Sequence, residues 1–211
     1  MTTKKRLVIA TRNEGKAAEI RTLLGEIPFE LLSLSDFAGA GDAEELEDTY
    51  AGNAMCKAQH YSLATDEMVL ADDSGLEVNA LYGKPGVLSA RYAGPHATDN
   101  QRRLKLLHEL ATRNSPDRKA RFACAVAVSN KNGIILKVTE GICEGSIGKE
   151  PRGYSGFGYD PIFVPNGYRQ TFGELPEEVK NRISHRAKAV ALMREFLLMK
   201  NGPLDPVHLD S

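Results

Sequence analysis

The stretch that decides the fold class is KRLVIATRNEGKAAEIRTLL, residues 5–24. Residues 5–11 form a short, mostly apolar segment bounded by polar side chains, and this pattern predicts a β-strand. Within residues 16–24 the apolar side chains recur three and four positions apart, which predicts a helix with one buried face. A strand that runs directly into a helix is the building unit of α/β proteins.

The rest of the chain continues this alternation and then departs from it. Apolar patterns predict, in chain order, strands at 29–34 and 68–71, helices at 49–64 and 99–113, strands at 121–129 and 133–145, and a helix after Ser184. In the helix at 99–113, the side chains expected to face inward are Leu104, Leu107 and Leu110. The turn NKNG, residues 130–133, favours a hairpin because Asn and Gly tolerate positive φ. Early alternation and a late hairpin predict an α/β fold with a mixed sheet and flanking helices.

Composition limits the classes of function. The chain has 211 residues, of which 42% are hydrophobic, and this suits a single domain over residues 1–201 with a loose tail at 202–211. The net charge of −1 gives no overall basic field for nucleic acid or a membrane surface, and no apolar run is long enough to span a bilayer. The three cysteines have neither disulfide-framework nor zinc spacing, so a cytoplasmic location is expected.

TRNEGK, residues 11–16, joins the first predicted strand to the first predicted helix. A helix start offers free N–H groups and a partial positive charge, Gly15 allows a ligand to approach the backbone, and Lys16 adds a formal charge. These features predict phosphate binding, although the glycine and hydroxyl spacing of a Walker A loop is missing. The alternative is a polar connecting loop with a solvated lysine.

Acidic side chains could supply a metal site or a catalytic base. DDSG, residues 72–75, is expected to end the strand at 68–71, and one of its Asp residues could hold Mg²⁺ or deprotonate a water molecule. Adjacent strand side chains point to opposite faces, so only one Asp would face a given ligand. A Ser-Gly turn is the alternative. An acidic run could add oxygen ligands or be solvated, and its members are Glu44, Glu45, Glu47 and Asp48. Lys57 is expected to face water or to pair with this acidic run.

FGYDPIF, residues 157–163, is a bent and aromatic segment. Gly158 and Pro161 disfavour a regular helix or a central strand, yet three aromatic side chains are unusual in a solvent loop. A surface on which a base stacks and a packed aromatic turn are the two alternatives. Downstream, His185 and Arg186 could hydrogen-bond a planar acceptor or serve only to begin a helix.

The order of these motifs resembles that of the inosine triphosphate pyrophosphatase family, the noncanonical purine nucleoside triphosphate pyrophosphatases. The resemblance spans residues 8–198 and is carried by TRNEGK at 11–16, NAMCK at 53–57, ADDSG at 71–75, PGVLSARYAG at 85–94, FGYDPIF at 157–163 and SHR at 184–186. It implies a two-lobed α/β domain around a deep cleft, a homodimer and a need for Mg²⁺. It also implies cleavage of ITP, dITP and XTP to the monophosphate and pyrophosphate.

The resemblance further implies roles for individual residues. The phosphates would be cradled by Thr11, Arg12, Asn13, Glu14, Gly15 and Lys16. Asp73 would be the general base and a ligand of Mg²⁺, with Glu44 as the second metal ligand and Glu45 as its alternative. Ser74 would touch the substrate. The nucleotide site would be lined by Phe157, Gly158, Tyr159, Asp160, Lys180, His185 and Arg186.

Within that nucleotide site the implied roles differ. Phe157 would stack on the purine, Asp160 would accept from a base or ribose donor, and His185 or Arg186 would donate to the O6 atom of the base. One position departs from the family pattern, because Gly52 stands where many relatives have Glu. That change removes one candidate acidic ligand.

Two rival functions would use parts of the same site. An Mg²⁺-dependent pyrophosphatase for other modified nucleotides, such as pyrimidine triphosphates, would keep the metal site and change the base pocket. A non-catalytic purine-nucleotide sensor or RNA-binding module would keep only the base site. The net charge of −1 and the carboxylates suited to a metal count against this second rival.

Overall fold

The computed structural model describes residues 4–113 and 115–199. In this part the strands and α-helices are, in order, β1 (Lys5–Ile9), α1 (Glu14–Leu24), β2 (Phe29–Ser33), α2 (Tyr50–Thr65), β3 (Met68–Val78), α3 (Asp99–Thr112), β4 (Lys119–Ser129), β5 (Ile135–Ile147), β6 (Phe163–Pro165), α4 (Glu177–Ile183) and α5 (His185–Met199). None of the helices in these two ranges is both long and apolar enough to cross a membrane. The tail predicted at 202–211 lies outside the described residues.

The strands form a six-stranded mixed sheet in the order β2-β1-β3-β4-β5-β6. β1 is parallel to both of its neighbours, with Leu7 opposite Leu31 of β2 and Met68 of β3. β6 is antiparallel to β5. Parallel neighbours need a crossover, and α1 supplies it between β1 and β2. The predicted α/β fold with a mixed sheet and flanking helices is therefore confirmed.

The chain divides into two compact units. The first holds the described residues up to Asp73, the segment Cys124–Glu140 and the described residues from Arg186 onwards. The second holds Ser74–Ala123 and Gly141–His185. Two of the four boundaries fall between Asp73 and Ser74 and between His185 and Arg186, and these two divide the predicted motifs DDSG and SHR.

In the first unit, the alternation of side chains along β1 feeds two hydrophobic clusters. Leu7 and Ile9 pack with apolar residues of α1 and α5. Val8 and Ala10 pack with apolar residues of α2. Because successive strand side chains point to opposite faces, one short apolar run serves both clusters. This explains why residues 7–10 form a continuous apolar run.

In the second unit, the core joins α3 to a group of aromatic rings. Phe122, Phe163 and Phe172 lie with centroid distances of 4.6 to 6.4 Å, in one cluster with Leu106 and Leu110 of α3. The expectation that Leu104 faces inward is wrong, since its side chain is 52% exposed. Leu106 and Leu110 are four residues apart and share the buried face of α3.

The strand predicted to stop at DDSG instead runs through it. β3 extends from Met68 to Val78 and carries Asp72 and Asp73 in its middle. The backbone stays extended because the two carboxylates, which lie on opposite faces of the strand, both have polar partners. The alternative of a Ser-Gly turn at this position is therefore wrong.

Candidate active site

Asp72 and Asp73 point to opposite faces of β3. The preceding residues set the pattern, since Leu70 packs in the cluster with α1 and α5 whereas Ala71 packs in the cluster with α2. Alternation places Asp72 on the side of Leu70 and Asp73 on the side of Ala71. Both residues are buried, with 1% and 6% of their surface exposed. Neighbours in sequence therefore have different environments.

Asp72 is held by cations from two helices. Its Oδ2 atom lies 3.2 Å from Nζ of Lys16 on α1, and 3.2 and 3.3 Å from Nη2 and Nε of Arg186 on α5. Burial alone would raise the pKa of Asp72, but Lys16 and Arg186 outweigh it and lower the pKa below its ordinary value. Asp72 is therefore an ionised counterion for two cations. Its Oδ1 atom is buried and has no hydrogen-bond partner among the described residues.

Asp73 faces α2, and its pKa is shifted in the opposite direction to that of Asp72. Its Oδ1 atom lies 3.2 Å from Nζ of Lys57, and its Oδ2 atom accepts a hydrogen bond of 3.2 Å from Nδ2 of Asn53. Burial raises the pKa of Asp73, against the lowering effects of Lys57 and Lys16, and the carboxylate of Glu45 adds to the rise. A buried carboxylate with a raised pKa is suited to accept a proton. Opposite shifts in two nearby carboxyls are the pattern expected where one of them does acid–base chemistry.

Asn53 and Lys57 are site residues whose contacts with Asp73 the sequence reasoning missed. They are four residues apart and share one face of α2, which begins after the cap of Thr49. Lys57 was expected to face water or to pair with the acidic run, and it does pair with Glu45, at 2.8 Å, in addition to Asp73. The signal in the sequence was the four-residue spacing of NAMCK.

Glu45, and not Glu44, lies beside Asp73. Oε1 of Glu45 and Oδ1 of Asp73 contact the same Nζ atom of Lys57. Glu44 is exposed and lines a surface pocket with Cys56 and His60. Of the two candidates for the second metal ligand, Glu45 is the one that shares a partner with Asp73, and its assignment to a metal stays a prediction.

The TRNEGK segment forms the capped start of α1. The side chain of Asn13 accepts the Lys16 N–H at 3.0 Å, and the hydroxyl of Thr11 accepts the Asn13 N–H at 3.2 Å. Arg12 points to the acidic loop, where it pairs with Asp42 at 2.5 Å. Lys16 alone of this motif contacts the buried Asp pair in the described contacts. Glu14 and Gly15 open the helix.

Arg186 has a different environment from the one that the sequence suggested. Its side chain is 2% exposed, and its Nη1 atom donates to Oε2 of Glu19 at 2.5 Å, while its other nitrogens donate to Asp72. Burial would lower the pKa of Arg186, but Asp72 outweighs it and raises the pKa. Arg186 is therefore a counterion of Asp72 and Glu19 in this structure, and its role as a donor to a purine O6 atom stays a prediction.

In the second unit, Asp160 organises the aromatic turn. Its Oδ2 atom accepts the Phe157 N–H at 2.9 Å and a hydrogen bond from Nζ of Lys180 at 2.6 Å. The same ammonium lies 4.7 Å from the centroid of the half-buried Phe157 ring, a cation–π contact. A Cβ atom on Gly156 would lie 2.1 Å from Oδ2 of Asp160, so glycine is required there. Asp160 therefore holds the turn through Oδ2, and its role as an acceptor for the base or ribose stays a prediction.

The remaining predicted residues of this unit also have defined places. Gly158 has a φ of +60°, and the hydroxyl of Tyr159 donates to the carbonyl of Ser89 at 3.0 Å, which ties FGYDPIF to PGVLSARYAG. The ring of His185 stacks on Phe122 with centroids 4.6 Å apart and an interplanar angle of 10°. Ser74 lies in β3 directly after Asp73 and is half-buried.

Comparison with known proteins places the chain in a family. A dITP/XTP pyrophosphatase of Desulforamulus reducens is 46% identical over 192 residues, which cover 91% of this chain and 95% of that protein. A dITP/XTP pyrophosphatase of Bacillus subtilis is 43% identical over 193 residues, 92% of this chain and 97% of that protein. The structure of a HAM1 protein from Coxiella burnetii has a TM-score of 0.85 at 39% identity and covers 93% of this chain and all of that one, 100%.

A second solved structure agrees. The nucleoside-triphosphatase, or dITP/XTP pyrophosphatase, of Mycobacterium abscessus has a TM-score of 0.70 at 39% identity and covers 89% of this chain and 97% of that one. A sequence model of the Ham1 family matches residues 7–196. These matches cover every motif on which the resemblance depended, and the chain belongs to the Ham1 family.

Proposed function

We propose that this chain hydrolyses noncanonical purine nucleoside triphosphates, namely ITP, dITP and XTP, to the monophosphate and pyrophosphate, and thereby cleanses the nucleotide pool. Family membership and the names of its relatives support this activity. The observation that carries the proposal is the contrast between the two adjacent carboxyls. Two cations lower the pKa of Asp72, whereas burial raises the pKa of Asp73. A proton acceptor beside fixed cations suits the attack of water on a phosphate chain.

In the proposed reaction, Asp73 accepts a proton from the attacking water. The water oxygen forms a bond to phosphorus, the bridging bond between the α and β phosphates breaks, and its electron pair leaves with pyrophosphate. Asn53 and Lys57 orient the acceptor because each contacts one of its two oxygens. Lys16 and the N–H groups at the start of α1 offset the negative charge of the phosphates.

Mg²⁺ is the proposed cofactor, and the donor set fits it. Asp73 and Glu45 direct one oxygen each at the same ammonium, so two carboxylates already converge on one cationic position. The described residues contain no group of three acidic, His or Cys side chains placed as metal ligands. Mg²⁺ is commonly bound through one or two carboxylates together with substrate phosphates, so a larger protein cage is not needed. When bound, Mg²⁺ supplies charge stabilisation to phosphate oxygens.

Base recognition is proposed for the aromatic turn of the second unit. Nζ of Lys180 lies 4.7 Å from the centroid of the half-buried Phe157 ring, and this ring is the one proposed to stack on the purine. Stacking contributes about 1–3 kcal/mol per base and does not distinguish purines. His185 or Arg186 is the proposed donor to O6, and Arg186 also contacts the carboxylates of Asp72 and Glu19. Adenine carries a donor at that position and would leave a buried group unpaired.

A homodimer and a cytoplasmic location complete the proposal, and the family resemblance supports both. Light scattering coupled to size-exclusion chromatography would measure the mass in solution. A single species at the monomer mass of 23.1 kDa across micromolar concentrations would contradict the dimer.

The activity itself is tested by pyrophosphate release from a panel of triphosphates with and without Mg²⁺. We expect release from ITP, dITP and XTP that requires Mg²⁺. Preference for modified pyrimidine triphosphates would favour a different pyrophosphatase. Binding of ITP without product would favour a non-catalytic sensor.

A further inference from the structure

The start of α3 holds the backbone of Gly158 from both sides. Oδ2 of Asp99 accepts the Gly158 N–H at 2.7 Å, and Nη1 of Arg103 donates to the Gly158 carbonyl at 2.7 Å. Asp99 and Arg103 are four residues apart, so they project from one face of the first turns of α3. Both hydrogen-bonding groups of this one residue are thus taken by side chains more than fifty positions away in sequence.

Asp99 and Arg103 contact the turn at a glycine, where the backbone is intrinsically flexible. Gly158 adopts a φ of +60°, in the left-handed region, and a Cβ atom there would meet nothing within 4 Å. The space on the Cβ side of Gly158 is therefore open, and glycine has more conformational freedom than any other residue. The two hydrogen bonds from α3 supply the missing restraint.

Other contacts hold Asp99 and Arg103 in position at the start of α3. Thr98 and Gln101 form a capping box that fixes the first turn of α3, and the carboxylate of Asp99 also pairs with Arg102. Nε of Arg103 is buried and has no hydrogen-bond partner among the described residues. Burying this unpaired N–H costs free energy, and the hydrogen bond from Nη1 to Gly158 offsets that cost.

We propose that Asp99 and Arg103 are positioning residues that fix the Phe157 ring for stacking on the substrate base. The inference rests on the proposed function, in which Phe157 binds the purine. Phe157 directly precedes Gly158, so rotation of the backbone at Gly158 would move the Phe157 ring. Asp160 restrains the other end of the turn through the Phe157 N–H. Loss of the α3 contacts should weaken binding of the base and leave the phosphate chemistry unaltered.

The test is steady-state kinetics on ITP with a base-free probe alongside. Asp99→Ala and Arg103→Ala should each raise KM for ITP about 5- to 50-fold, within the limit of about 150-fold set by complete loss of stacking, with kcat nearly unchanged. Inhibition by inorganic pyrophosphate, which has no base, should be unchanged. Asn100→Ala, at an exposed neighbouring position on the same turn, is the matched control and should behave as wild type. Arg103→Lys keeps a donor and should restore most of the affinity.

A double-mutant cycle with Phe157→Ala separates positioning from a general structural role. If Asp99 acts through the ring, Asp99→Ala should add little once Phe157 is gone. An equal increase in KM in both backgrounds would overturn the inference, as would parallel weakening of pyrophosphate inhibition or an unchanged KM in both alanine variants. If Asp99→Ala fails to fold, Arg103→Ala, which removes the other hydrogen bond to Gly158, carries the same cycle. A wild-type protein that neither binds nor cleaves ITP would instead refute the proposed function.

Discussion

Replacing Asp72 and Asp73 by Asn should separate stability from catalysis at two adjacent positions. Asp72→Asn removes the counterion shared by Lys16 and Arg186. Breaking a buried ion pair from one side costs about 3–5 kcal/mol. A domain of this size loses about 2–4 °C of melting temperature per kcal/mol, so we expect a decrease of about 6–20 °C. The amide also retains an acceptor oxygen, which places the result toward the lower end of that range.

Asp73→Asn should lower activity without lowering the melting temperature. Because burial raises the pKa of Asp73, its charge is unfavourable in the fold, and Lys57 keeps Glu45 as a partner after the change. The melting temperature should stay near that of the wild type or rise. Loss of the proton acceptor and of a metal ligand should lower kcat at least about 10³-fold. Asp72→Asn should lose less activity when assayed well below its melting temperature.

The pair is measured by thermal melting and by pyrophosphate release from ITP across a titration of Mg²⁺. Each variant is the control for the other, since the same atoms change at neighbouring positions. Retention of more than about a tenth of the wild-type kcat by Asp73→Asn, together with an inactive but folded Asp72→Asn, would show that the wrong carboxylate was assigned. An Asp72→Asn protein that melts with the wild type would refute the structural role of the ion pairs.

Three further outcomes are expected. ITP and XTP should exceed ATP and GTP at least about tenfold in kcat/KM, because an unpaired buried donor costs more than about 1.4 kcal/mol, and equal values on all four would refute recognition at O6. Chromatography of an ITP digest should show IMP and pyrophosphate, and orthophosphate as the first product would contradict cleavage between the α and β phosphates. For Asp99, burial would raise the pKa, but the Gly158 N–H and Arg102 lower it, so its stabilising effect is complete above the pKa of the unfolded state and lost as pH falls through the lower folded value. The difference in unfolding free energy between wild type and Asp99→Asn should therefore be constant near neutral pH and shrink only in strong acid, and a difference that grows on acidification would contradict this sign.

Local patterns were enough to predict most of the secondary structure. The strand and helix within residues 5–24, the Thr49 cap and the NKNG turn depend on side chains close in sequence, and all are present. DDSG was misjudged because Asp, Ser and Gly favour turns in isolation. In the fold, partners from distant helices make an extended backbone favourable, and no pattern within residues 72–75 contains that information.

The site was predictable in its carboxylates and less so in its cations. Asp73 was identified from its place at a predicted strand end and from the family resemblance, whereas its contacts with Asn53 and Lys57 depend on where α2 packs. His185 and Arg186 were given one role because they are neighbours in SHR. They begin a helix, where successive side chains point about 100° apart at 3.6 residues per turn, and they enter different environments.

Charge explains why these two adjacent carboxyls suit different tasks. Asp72 pairs with Lys16 and Arg186, and Glu19 pairs with Arg186, so the charges of these four side chains are balanced. Asp73 and Glu45 share Lys57, and those three groups together carry one net negative charge. A balanced buried group favours a fixed structure, while an excess of negative charge favours both a divalent cation and a carboxyl that readily takes up a proton. The alternation of β3 thus places a structural counterion and a reactive carboxylate one residue apart, and the helix that each side chain meets decides which is which.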